Sequence, residues 1–166
     1  AMGTNALDAN TTSDKNTAIG YDSLTANTTG SDNTALGAYS LLANTTGNYN
    51  VAVGQGALES NTTSHYSVAI GVGALQQNTS AEMVAVGRSA LNSNTTGTQN
   101  TAIGLQTLEN NTTASYNTAL GFNVLRQNVT GAENTAVGLN ALYSSLASYN
   151  TAIGSQCLDA LTTGGF

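Results

Sequence analysis

This sequence predicts an all-β fold, a parallel β-solenoid (β-roll) of 16–17 residues per rung, and three observations predict it. A five-residue phrase, Asn-Thr-Ala-Ile-Gly at 16–20 with close variants after it, returns nine times and ends on Gly20, Gly37, Gly54, Gly71, Gly87, Gly104, Gly121, Gly138 and Gly154. A leucine recurs in ten copies: Leu7, Leu24, Leu41, Leu58, Leu75, Leu91, Leu108, Leu125, Leu142 and Leu158. An Asn-Thr-Thr or near-equivalent turn follows most of those leucines. A period this short leaves room for one turn of a solenoid per copy, not a domain per copy.

The phrase comes first. Thr-Ala-Ile is bounded by Asn and Gly too closely for a capped helix, so it reads as a short strand. Its terminal glycine supplies a positive-φ corner or a close backbone approach. A second strand is expected around the leucine, preceded by a small residue in most copies (Ser23, Ser40, Ala57, Ala74, Ala90). The turn asparagines (Asn10, Asn27, Asn44, Asn61, Asn78, Asn94, Asn111, Asn128) then stack as a hydrogen-bonded ladder. Nine to ten rungs at ~4.8 Å each give a rod of roughly 45 Å. Two copies are one residue short, at 71–87 and 138–154, and both deletions fall in turns.

Residues 1–2 read as a scar of expression and residues 3–166 as a single repetitive domain, a fragment of a longer fibrous protein. Charged residues are 7% of the chain and the net charge is −6, with three basic side chains. Nucleic-acid binding needs clustered Lys and Arg and is excluded, as is contact of this segment with an anionic membrane. No apolar run has the length of a membrane span. The lone Cys157 says nothing of redox compartment.

A strand buried on one face alternates apolar and polar residues. These do not: Thr or Val, then Ala, then Ile, Val or Leu stand in sequence, and none is ever charged. Both faces of the rung are therefore restricted, one by the coil interior and one by a neighbour. Three slender coils sharing one axis is the preferred form, a homotrimer. The expected interface is the alanine column, Ala18, Ala35, Ala52, Ala69, Ala85, Ala102, Ala119, Ala136 and Ala152, with the small column before Leu and with Val72, Leu105, Phe122 and Leu139.

Ser67-Val68-Ala69-Ile70-Gly71, and Asn-Thr-Ala-Ile-Gly at 16–20, 100–104 and 150–154, resemble the signature of the head repeats of trimeric autotransporter adhesins. That resemblance implies a trimer of left-handed parallel β-rolls on a bacterial surface, binding host proteins. The rung here is a few residues longer, and Asn mostly replaces Ser. The longer phrase Asn-Thr-Ala-x-Gly-x-x-Ala-Leu-x-x-Asn-Thr-Thr-Gly also resembles repeats of phage-type tail-fibre proteins. The implied function is structural and binding: a segment of an extracellular fibre or adhesin at a cell or virion surface.

Catalysis finds little material. His65 stands alone in a variable loop position and reads as solvent-facing; Cys157 occupies the small column and reads as an inert thiol. No calcium-binding repeat motif is present, so neither metal nor cofactor is expected. Tyr49, Tyr66, Tyr116 and Tyr149 precede the phrase in four rungs and form a candidate recognition stripe for a host protein or glycan. Eight Asn-x-Thr/Ser turns match the N-glycosylation pattern, but the turn itself accounts for them. A rival reading from another class is an ice-binding solenoid using the turn threonines, Thr11-Thr12, Thr28-Thr29 and their repeats.

Overall fold

The computed structural model describes residues 1–159. Each phrase forms one short strand: β1 (Thr17–Ile19), β2 (Thr34–Leu36), β3 (Val51–Val53), β4 (Val68–Ile70), β5 (Val84–Val86), β6 (Thr101–Ile103), β7 (Thr118–Phe122), β8 (Thr135–Leu139) and β9 (Thr151–Ile153). They make one parallel nine-stranded sheet in sequence order. Every lap returns the chain to the same register, with Ala18 opposite Ala35 and Ala69 opposite Ala85. The result is a parallel β-solenoid of about eight turns. The first copy adds only a bridge from Met2 to Ile19. Among the described residues no helix is long and apolar enough to cross a membrane.

The short laps cost the sheet nothing. Val68 pairs with Val84 and Thr135 with Thr151 without a slip, so both deletions are absorbed in turns.

The expected second strand is absent. Its arm still forms a ladder, with Leu24 N donating to Ser40 O at 2.9 Å in the next lap and Tyr39 N to Tyr21 O at 2.9 Å in the previous one. Alternate residues are left-handed: Asp22 and Leu24, Tyr39 and Leu41, and so on, with φ between 50° and 61° in these four. All ten repeat leucines have positive φ. That rotation turns the leucine back into the lumen, so from Ser23–Leu24 to Ala141–Leu142 the small residue and the leucine beside it are both buried. In a strand they would point opposite ways. A turn closed by Ser40 N to Gly37 O, with positive φ at Tyr39, leads into the arm.

The phrase glycine is required by distance. Gly71 has φ +132°, and a Cβ there would stand 2.6 Å from the carbonyl carbon and oxygen of Gly87. The laps are too close for any side chain at that corner.

The lumen holds the leucine and alanine columns and two ladders of asparagine. In the expected ladder, Asn44 Nδ2 donates to Asn27 Oδ1 at 2.9 Å and Asn61 Nδ2 to Asn44 Oδ1 at 3.0 Å. A second ladder runs through the phrase asparagines. Asn33 Oδ1 accepts from Asn50 N at 3.0 Å, and Asn33 Nδ2 reaches across to Gly47 O at 2.8 Å. Both falter near the first short lap. Asn78 Nδ2 turns to Ser80 O, leaving Asn61 Oδ1 without a partner, and Met83 takes an asparagine's place above Ser67, whose buried Oγ is also unpartnered.

Candidate functional site

Period-two alternation along a three-residue strand decides what the outer surface carries. The central alanine points into the lumen and its two neighbours point out. Ala18, Ala35, Ala52, Ala69, Ala85, Ala102, Ala119, Ala136 and Ala152 have essentially no exposed surface. This corrects the expected interface: the alanine column belongs to the coil's interior and has nothing to offer a partner. The small column before the leucines is likewise interior, with Ser23, Ser40, Ala57, Ala74, Ala90, Thr107, Val124 and Ala141 all buried. At the strand's centre the lumen takes a methyl group in every lap, while the leucines fill it from the opposite arm.

What faces outward is the pair of flanking columns. One is β-branched throughout: Thr17, Thr34, Val51, Val68, Val84, Thr101, Thr118, Thr135 and Thr151. The other is aliphatic throughout: Ile19, Leu36, Val53, Ile70, Val86, Ile103, Leu120, Val137 and Ile153. Ile70 is 40% exposed and Ile103 38%. Val72, Leu105, Phe122 and Leu139 extend the same face past the glycine corner. In β7 and β8 the strands lengthen to pair Phe122 with Leu139. Val72, Phe122 and Leu139 are exposed and Leu105 half-buried. At ~4.8 Å per lap and roughly 14 Å across three columns, the face covers about 600 Å², with Gln55, Arg88 and Ser155 interrupting its third column. The signal for it lay in the phrase: an invariant Ala between two positions that vary only among β-branched and aliphatic residues.

The tyrosine stripe is broken in space. Tyr49 and Tyr66 stack with ring centroids 5.2 Å apart and planes 3° from parallel. Glu82 and Gln99 separate them from Tyr116, and Glu133 stands between Tyr116 and Tyr149. A pair not anticipated, Tyr21 and Tyr39, meets edge to face at 5.5 Å. The Asp22 carboxylate beside the Tyr21 hydroxyl repels its phenolate and raises its pKa.

Other polar groups serve the coil. His65 is half-buried rather than solvent-facing, and its Nδ1 accepts the backbone N–H of Asn48 at 2.9 Å. Arg126 Nε donates to Glu109 Oε2 at 2.6 Å, a bond that raises the arginine's pKa. Cys157 is a half-buried free thiol packed against the core. Among the described residues no three of His, Cys, Asp and Glu converge. The first threonine of most turns spends its hydroxyl on the next lap, as Thr45 Oγ1 does on Thr62 O at 3.1 Å. The second threonine of each turn, Thr29, Thr46, Thr96 and Thr113 among them, is exposed. The sequon asparagines Asn27, Asn44, Asn61, Asn78, Asn94, Asn111 and Asn128 are fully buried, beyond reach of a glycosylating enzyme in the folded coil.

The fold and face define a class, a parallel β-solenoid whose sheet carries two uncharged outward columns. No family model, curated protein or solved structure matches the chain.

Proposed function

We propose that this chain is a structural and binding segment of an extracellular fibre or surface adhesin, without catalysis, in which three left-handed coils associate through the outward face of the sheet. One observation carries the proposal: an uninterrupted β-branched and aliphatic surface runs the length of the coil with no charge in its two central columns. Water exposure of such a face costs roughly 25 cal/mol per Å². Two faces in contact remove roughly 1,200 Å² from water, within the range of stable interfaces. Stacked laps then supply length and a backbone whose N–H and C=O groups are largely spent between laps, which resists proteases. The corner and loop residues, outside both lumen and seam, remain for recognition at a cell or virion surface.

Ile70→Glu with Ile103→Glu tests the assembly. Both side chains lie outside the lumen, so the variant keeps its β circular dichroism while its mass falls to that of one chain. A variant that retains the wild-type oligomeric mass contradicts the proposed seam.

A further inference from the structure

The left-handed position two residues after the phrase glycine carries a side chain in most laps, Tyr39 and Ser89 among them. In two successive laps it carries glycine instead, Gly56 and Gly73, with φ of +65° and +66°. The missing side chains open a notch of about 140 Å³ on the second arm. Tyr39 and Val72 supply its apolar walls; Gln55, Glu59 and Gln76 supply its polar ones. An aromatic ring, a carboxylate and two amides converge there.

The polar wall is already oriented. Gln76 Nε2 donates to Glu59 Oε2 at 2.7 Å, and Gln76 Oε1 accepts from Asn92 Nδ2 at 3.1 Å. Among the described residues neither Glu59 Oε1 nor the Gln55 amide has a protein partner, so acceptors and donors remain for a ligand. A sugar ring needs this mixture. Its hydroxyls pair with carboxylate and amide groups, and its C–H face packs on an aromatic ring. The volume suits part of one ring rather than a buried drug-sized molecule. The carboxylate of Glu59 repels an acidic sugar, and no cation lines the notch to hold a phosphate.

We propose that this notch binds a single neutral pyranose residue of a surface glycan. The inference deepens the binding half of the proposed function and rests on that reading for its setting. The notch itself is complete within one chain. Binding per site is weak, and display of several copies on one fibre multiplies it.

The test is a glycan array probed with the purified protein, followed by titration of the strongest neutral glycan. Gly73→Asn fills the notch, and asparagine is already accommodated left-handed in the same column at Asn123 and Asn140. Glu59→Ala removes the carboxylate from the surface. The wild type is expected to bind neutral glycans and not their sialylated forms. Each variant is expected to lose at least tenfold in affinity with its melting temperature and oligomeric mass unchanged. The Ile70→Glu, Ile103→Glu variant keeps the affinity per site, so failure of self-association does not disguise failure of the notch. A wild type that binds no neutral glycan overturns the proposal, as does binding that survives both Gly73→Asn and Glu59→Ala.

Discussion

Asn44 donates its side-chain amide to Asn27 at 2.9 Å and, by its carbonyl, accepts from Asn61 at 3.0 Å. All three are fully buried, so these three turns are tied together inside a space that water does not reach. Such bonds contribute modestly when made and cost much when half of one is removed. Asn44→Ala leaves Asn27 Oδ1 orphaned and is expected to cost about 3 kcal/mol, lowering the melting temperature by about 8 °C. Differential scanning calorimetry reads both.

The glycines separate into two kinds. Gly71→Ala drives a Cβ into the Gly87 carbonyl, against backbone that has nowhere to go. It is expected to abolish cooperative folding, a loss beyond ~4 kcal/mol. Gly56→Asn meets only the flexible ends of Glu59 and Gln76 and is expected to stay within about 1 kcal/mol of wild type. Circular dichroism melts of the two variants side by side make the comparison.

Leu91 tests the left-handed arm. Its φ is +51° and its side chain is wholly buried. Leu91→Met conserves volume and is expected to cost about 1 kcal/mol. Leu91→Ile conserves volume equally, but a β-branched side chain at positive φ is an outlier, so about 2 kcal/mol or more is expected. Urea midpoints that rank Met below Ile would contradict the left-handed geometry.

His65 should behave as an acceptor and nothing else. Asparagine occupies the same column at Asn48, where its Oδ1 accepts the Ser31 N–H. His65→Asn is therefore expected within about 0.5 kcal/mol of wild type, and His65→Leu to cost about 1 kcal/mol by orphaning the Asn48 N–H. Thermal melts at neutral pH distinguish them.

Much of the coil was legible beforehand. Period, parallel register, strand position, the glycine corner and the turn ladder all follow from residues repeating at fixed spacing, because stacking sets like over like. Four things were not. Leucine has no preference for positive φ, so the left-handed arm comes from closing a short lap around a narrow lumen, a tertiary demand that overrides local propensity. The direction of Ala69 depends on the same width. A small residue suits a tight interior and a tight interface equally, and only the coil's closure assigns it inward. The second asparagine ladder was hidden because Asn16 and Asn33 stand beside strands, where asparagine reads as a boundary marker. The notch depends on Gly56 and Gly73 falling in one column, which the path of the arm reveals.

The outward Ile70 and inward Ala69 together put the burden on the sheet's outer side. Sedimentation equilibrium of the unmodified chain across a hundredfold dilution tests that most directly. The account predicts a species of three times the 16.7 kDa chain mass. A single 16.7 kDa species at every concentration would contradict it.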